Sequence, residues 1–570
     1  MYKRRPAPET ALQAVERSSV TPTAGVLDKD ACLDGVIPCQ PIDIPPCTSE
    51  EDEHALHNAP ENPPVTKASL RELDLVLIQS NINLRVDINY DHDLHFSPVS
   101  GSTGEKKRLE ALLYWQSLAA EFRITYHNNF ATSCIECQKK RTRGAGQRSF
   151  PPRLPRLLFS LKQLLTILVP HRDADQIAQF LDIPLLVQEA SHSMLDVVRL
   201  GRWLCGLLTT HCAPMRDRSA QDMAEKVKEG AETGDMTALV DGIKELFDIL
   251  EAMKLDVANH QIRSFRFHLI EDTVLFQKDH FRVRIQNNKI NVDASREWFL
   301  QNAKGHEGCR GGGKLPSRSP LAALLHGLVQ ICVSSDPNFP DTLKHDVGRL
   351  QNQRDQIQDI IHMDLCLSVF DDQIERLVGP NFNAASLHPI PEARIRELQT
   401  RILDLTDGHV CSNETMAAVW SRHVSEIAWE LTNAIVGVCK RVGCFLPASG
   451  IETTRNQLAS KFAEERRRGG RATLLAQTLE QGAQAYAHAF QSMTTLAISE
   501  AQKRDHYARR QPQHEDRQWR QMPCLDDLAR ELAHVAVIHM RVWTDLAYLV
   551  DEAERVIYLG VEEGSTYKLF

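Results

Sequence analysis

The sequence predicts an all-α protein of layered or bundled long helices, with a disordered amino-terminal tail and a few loop insertions. Three observations carry this prediction. Apolar residues return at helical spacing through most of the chain. Strand-like alternation bounded by turn signals is hard to find. An aromatic share of 6% beside 42% hydrophobic residues suits helix contacts filled by Leu, Ala and Val. About ten to twelve helices are expected, several longer than the usual three or four turns. No fixed-period repeat points to a solenoid.

Residues 1–67 contain ten prolines, an acidic TSEEDEHAL run and almost no aromatic side chain, too little apolar surface to offset the entropy of folding. They are expected to form the disordered tail, and residues 68–570 one helical domain. The segment NINLRVDINYDHDLHFSP reads as an extended arm anchored by Leu84, Ile88, Leu94 and Phe96, with Asp87, Asp91, His92, Asp93 and His95 facing water. Its acids and histidines are metal-ligand types, yet the glycine and terminal glutamate of an EF-hand loop are missing. Cys134 and Cys137 form a CxxC pair with zinc-ligand spacing, and His127 is the one sequence-local third ligand. Without a second pair nearby, no metal site is expected. Elsewhere the fourteen cysteines are scattered, and those in apolar helical patterns, such as Cys205, Cys332 and Cys366, read as reduced core residues.

Further along, KKRTRGAGQRSFPPRLP reads as a basic surface loop. In MTALVDGIKELFDILEAMKLDVANHQI, Leu239, Ile243, Leu246, Ile249, Leu250 and Met253 form one stripe opposite Lys244, Glu245, Asp248 and Glu251. RSFRFHLIEDTVLFQKDHFRVRIQ mixes aromatic and basic residues in the manner of a base-stacking surface. Phe265, Leu269, Thr273 and Phe276 also share a helical face, however, which favours a core stripe with Arg266, Glu271 and Asp272 paired beside it. Two loop insertions fall near residues 302–320 and 507–523. The first holds a glycine triplet before Lys314, but Leu315 follows where a phosphate-binding loop needs Ser or Thr. Leu350, Ile357, Ile361, Leu365 and Val369 make the stripe of the next helix, and Val419, Val424, Ile427 and Leu431 that of another. The basic Arg466–Arg468 run reads as a solvated helix end.

A net charge of −9 leaves no footprint for phosphate backbones or anionic membranes. The start MYKRRPAPET has no apolar run of a secretory signal, and LLFSLKQLLTILVP is too short to span a bilayer and carries Lys162 and Gln163. The expected setting is the cytoplasm, with the nucleus an open alternative; no secretion, membrane insertion or nucleic-acid partner is expected.

The stretch HCAPMRD holds the residue types of a cysteine-nucleophile site. His211 and Cys212 are adjacent, however, and neighbours on a helix or strand point apart, so they are badly placed to share a proton. The preferred reading is a helix-to-helix corner. The long apolar helix LLVQEASHSMLDVVRLGRWLCGLLTTH must stop near Ala213, because Pro214 drives its predecessor out of helical geometry. His211 then complements the helix end, Arg216 and Asp217 fix the angle, Ser219 and Asp222 resemble a capping box, and a new helix runs to Gly230. His211, Cys212, Pro214, Arg216 and Asp217 are thus the motif residues of a structural corner, with no catalytic, cofactor-binding or metal-binding residue assigned.

HCAPMRD, with NLRVDINYDHDLHFSP and EALLYWQSLAAEF before it and FPDTLKHDVGRLQNQRDQIQDIIHMDLCLSVF after it, resembles the T-complex protein 11 family, in form most like its fungal members. The resemblance runs from about residue 75 to about residue 560 and leaves the tail and the glycine-rich insertion uncovered. It implies an all-helical protein of cAMP and protein kinase A signalling, with protein partners in that pathway and animal relatives tied to sperm function. It implies no established catalytic residue, cofactor or metal. The expected function is that of a non-enzymatic regulator or scaffold. The alternatives are an enzyme with a cysteine nucleophile at HCAPMRD and a nucleic-acid-binding helical protein.

Overall fold

The structure is a computed structural model, and it describes residues 40–98, 101–130, 134–135, 137, 148–304, 319–334, 337–378, 392–407, 416–441, 443, 445–509 and 524–549. Residues 1–39 of the expected tail, residues 139–147 of the basic loop, and most of both expected insertions, including Lys314, lie outside the described residues. In chain order the first elements are β1 (Ile42–Asp43), α1 (Glu50–Asn58), α2 (Leu75–Ser80), α3 (Ile82–Asp87), α4 (Gly101–Phe130), β2 (Ser149–Phe150), α5 (Leu154–Leu168), α6 (Ala174–Phe180), α7 (Ile183–Ser191), α8 (Val197–His211), α9 (Asp217–Thr233) and α10 (Met236–Glu271). There follow α11 (Thr273–Gln286), α12 (Asp293–Ala303), α13 (Pro320–Val333), α14 (Val347–Val378), α15 (Glu392–Asp407), α16 (Met416–Arg441), α17 (Ala448–Arg468), α18 (Gly470–Gln491), α19 (Thr495–Arg509) and α20 (Leu525–Trp543). The fold is all-α, with more helices than the about ten to twelve expected and several of them long, α10 running for 36 residues. Where one long helix was expected before the corner there are two, α7 and α8. Ser193 turns the chain between them at φ +55°, and Asp196 then caps α8 by accepting from the Arg199 N–H at 2.9 Å.

The chain forms two compact units, Met1–Ile78 with His95–Gln261, and Gln79–Leu94 with Ile262–Phe570, where the sequence suggested one domain over 68–570. In the first unit the expected tail ends early. Residues 40–67 include β1, paired antiparallel with β2, and α1, whose Ala55 and Leu56 are buried. Averaged over the whole segment the composition looks unable to fold, but a few apolar residues close to one another suffice. Ile44, Leu56, Ala120, Ile124 and Phe150 make a small core, flanked by the Arg123–Asp52 and Arg148–Glu53 ion pairs. Beside this core, Glu121 of α4 is buried and accepts the Arg153 N–H at 2.7 Å and the Leu154 N–H at 3.2 Å, capping α5 from another helix. The Arg153 guanidinium donates to the carbonyls of Leu56, Ala59 and Pro60. Burial pushes the Glu121 carboxyl up to about 7, against the pull of the two N–H donors.

The second unit is built around α13, which is buried on nearly every side and packs with α14, α18 and α20. Leu324, Leu328, Leu350, Ile357, Leu479, Leu532 and Val535 are among its core residues. A second cluster joins α14, α15, α16 and α17 through Leu365, Cys366, Val369, Ile402, Ile427, Leu431 and Phe462. The expected arm is helical over α3, which Asn81 caps, and irregular after it: Leu84 and Ile88 are buried and Leu94 is half-buried, Asp91, Asp93 and His95 are exposed, and Asp87 pairs with Arg349 at 2.9 Å. In the aromatic and basic segment Leu269 and Thr273 are buried as expected. Of the two pairings open to the flanking charges, within the helix or with a neighbour, the structure has the second: Asp272 pairs with Arg85 at 2.9 Å, and Arg266 donates to the carbonyls of Ile88, Asp91 and His92. Helical spacing cannot register partners some 175 residues away.

Candidate functional site

The HCAPMRD corner lies in the first unit, between α8 and α9. α8 closes at His211, and the Cys212 N–H donates to the Leu208 carbonyl at 2.7 Å. Ala213, before Pro214, is extended at φ −65° and ψ 140°, and Pro214–Arg216 form a single 3-10 turn. α9 starts at Asp217, so Ser219 sits inside the helix and the expected Ser219–Asp222 capping box does not form. Asp217 places a carboxylate in the first turn, where the helix end is positive. The helix passes the expected stop at Gly230 and ends at Thr233, with Gly234 left-handed at φ +73°. Gly230 serves another purpose. A Cβ there would lie 2.4 Å from the Leu239 backbone nitrogen, so the missing side chain is what lets α9 and α10 approach.

Each polar residue of the corner is engaged. His211 Nε2 lies 3.0 Å from Asp173 Oδ2. Arg216 grips Asp256 of α10 with Nε at 2.8 Å and a terminal nitrogen at 3.0 Å. The Cys212 thiol is half-buried and donates to Asp217 Oδ1 at 3.6 Å. Burial, then the Asp217 carboxylate, raises this thiol above its ordinary pKa. A nucleophilic cysteine needs the opposite shift. The arrangement can hold two helices at a fixed angle and is poorly suited to form a thiolate.

Two grooves open on the same unit. One, of about 460 Å³, begins at Arg216 and Ser219 and is edged by Lys226, Asp241, Lys244, Glu245 and Asp248, with Lys226 Nζ 2.6 Å from Glu245. The other, of about 800 Å³, has Leu112, Trp115 and Val240 among its apolar lining and Glu50, Glu51 and Asp52 among its charged lining. The walls of the second groove come from segments far apart in the chain, which local patterning does not connect, whereas the first is lined by residues 216–249 alone and includes the polar face of Lys244, Glu245 and Asp248. Phe96, read as an anchor, is half-buried, and its N–H donates to Asn259 Oδ1 at 2.6 Å. Among the described residues the aspartates and histidines of 87–95 do not gather as metal ligands. Cys134, Cys137 and His127 do come together, with Cys47 as the fourth member that sequence spacing missed.

The family model described as T-complex protein 11 matches residues 84–551, most of the chain and both sides of the corner. The chain belongs to the T-complex protein 11 family. Protein SOK1 of Saccharomyces cerevisiae is 30% identical over 65% of this chain and 40% of its own length. The human T-complex protein 11 homolog is 25% identical over 49% of this chain and 56% of its own. The human T-complex protein 11-like X-linked protein 2 is 28% identical over 47% and 55%. The chain therefore spans roughly half the length of these T-complex protein 11 relatives, or less. No solved structure matches it. No helix among the described residues is long and apolar enough to cross a membrane.

Proposed function

We propose that this T-complex protein 11 family member is a non-enzymatic regulator or scaffold in cAMP and protein kinase A signalling, acting in the cytoplasm through protein partners of that pathway. The observation that supports this most is that the reactive side chains of HCAPMRD are already engaged, His211 with Asp173, Arg216 with Asp256 of α10 and Cys212 with Asp217. His211 and Arg216 are each matched to a carboxylate from another element, and Cys212 carries a raised pKa. A thiolate enzyme would have spent the same residues differently. The family match across 84–551 supports the pathway, because the motifs in this sequence resemble a family linked to it. The two charged grooves of the first unit offer surfaces of the right chemistry for a protein segment.

The test is genetic. Deletion or overexpression should change a phenotype controlled by kinase A, such as growth, germination or morphogenesis, and reversing charge in the grooves at Glu50, Glu51 and Lys226 should reproduce part of the deletion effect in folded protein. If every kinase A readout is unchanged by loss and by excess, the assignment fails.

A further inference from the structure

We infer that Cys47, His127, Cys134 and Cys137 form a structural zinc site that staples the segment β1–α1 to the carboxyl end of α4. The inference is independent of the signalling role. Four side chains from three places in the chain converge, and their ligand atoms all lie within 4.8 Å of one another. Cys47 Sγ is 3.3 Å from His127 Nε2, and Cys137 Sγ is 3.9 Å from the same nitrogen. In a tetrahedral site, Zn–S bonds of about 2.3 Å and Zn–N bonds of about 2.0–2.1 Å put ligand atoms about 3.5–3.8 Å apart. The two measured separations bracket that range. Three thiolates with one imidazole is a standard structural-zinc donor set. Four protein ligands complete the tetrahedron, leaving no open position for a substrate or a catalytic water.

The surroundings show how the donors are placed and what a metal would add. Cys47 sits in a turn closed by the Thr48 N–H donating to the Pro45 carbonyl at 3.0 Å. His127 is in the last turn of α4, and Cys134 and Cys137 follow that helix with the CxxC spacing that lets two sulfurs face one ion. Contacts independent of the cluster bring the same segments into register. Ile42 pairs with Phe150, the Ile44 N–H donates to the Arg148 carbonyl at 2.8 Å, and Asn128 donates to the Asp43 carbonyl at 3.1 Å. The local core has only five buried residues and the ladder two residues a side. A core this small adds little to hold β1 and α1 in place, so a crosslink at the cluster would add directly to the attachment of that segment. Cys47 also lies before the family match at 84–551, so the fourth ligand comes from a part of this chain outside the shared family region.

The experiment uses the full chain, purified without chelator, with zinc measured by elemental mass spectrometry. About one zinc per chain is expected. Cys47→Ser, Cys134→Ser and Cys137→Ser should each lose most of it after dialysis, while Cys205→Ser and Cys212→Ser keep it. Loading the chain with cobalt(II) should give tetrahedral d–d bands and thiolate charge transfer, the latter falling by about a third when Cys47→Ser removes one of the three sulfurs. If the serine variants fail to fold, alkylation of the unmodified chain decides the question. Cys47, Cys134 and Cys137 should be protected together and become reactive together when a chelator is added, while exposed Cys524 reacts throughout. Absence of zinc and of a tetrahedral cobalt spectrum, zinc retained in all three serine variants, or protection unaffected by chelator would each overturn the inference.

Discussion

Arg216 and Asp256 form a two-point ion pair, with guanidinium nitrogens 2.8 and 3.0 Å from the two carboxylate oxygens, joining the turn of HCAPMRD to α10. The side chains are 24% and 42% exposed, so solvent screens the pair and its energy is modest. A double-mutant cycle of Arg216→Ala and Asp256→Ala, read from urea midpoints, should give a coupling of about 0.5–1 kcal/mol. Arg216→Lys should recover little of it, because an ammonium cannot present two nitrogens in the plane of the carboxylate. A coupling of zero would mean that this ion pair contributes nothing to holding the corner.

Two glycines of the same unit should respond in opposite directions. Gly230 faces the backbone of Leu239, where an added methyl would sit 2.4 Å from nitrogen and 2.7 Å from Cα, and backbone cannot rotate aside. Gly230→Ala should therefore force α9 from α10 and cost about 1–3 kcal/mol. Gly206, inside α8, has nothing within 4 Å of an added Cβ. Gly206→Ala should stabilise by about 0.5–1 kcal/mol by restricting the unfolded chain. Thermal melts of the two variants should move apart; a Gly230→Ala protein that melts with the unmodified chain would refute the close packing.

The difference between these glycines marks what the sequence can convey. Helical periodicity identified the faces of Leu246, Leu250, Ile357 and Ile427, all of which are buried, because burial of a helix face is written locally every three or four residues. Pro214 likewise placed the corner, since its steric effect reaches only to Ala213. What stayed hidden depends on distant partners. Nothing near Arg216 points to Asp256, nothing near CxxC points to Cys47, and Asp87 reads as a solvated acid until Arg349 is beside it. The start of α9 departs from its sequence signal for a local reason: Ser219 and Asp222 have the form of a capping box, but the turn at Pro214 begins the helix at Asp217.

Glu121 should make stability fall as pH rises. Its carboxyl is held up to about 7 when folded, against an ordinary 4.5, so between those values the folded chain keeps a proton that the unfolded chain has released. Stability declines with pH wherever the folded state binds more protons. The contribution is complete below about 4.5 and is lost as pH climbs through about 7, amounting to on the order of 2–3 kcal/mol for a fully buried group. Glu121→Gln cannot ionise. The stability of the unmodified chain relative to this variant should therefore decrease from pH 5 to pH 7.5, with other titrating groups cancelling in the comparison. A difference that is flat or rises over that interval would show that the two N–H donors and Arg153 outweigh burial and keep Glu121 ionised.

The last prediction separates a structural Cys212 from a chemical one. Its thiol donates to Asp217 at 3.6 Å in a half-buried setting, and a serine hydroxyl can make the same contact. Cys212→Ser should then leave the melting temperature nearly unchanged and leave the kinase A phenotype intact. Asp217→Ala removes both the acceptor for that thiol and a negative charge in the first turn of α9, and should cost about 1 kcal/mol. Pro214→Ala frees Ala213 to enter helical geometry and lets α8 overrun the corner, at a similar cost of about 1 kcal/mol. Across the three variants, loss of signalling should follow loss of folded protein, measured as melting temperature and soluble yield beside the phenotype. A Cys212→Ser chain that melts normally but has lost signalling would overturn the purely structural reading, because the sulfur itself would then be required for function at an intact corner.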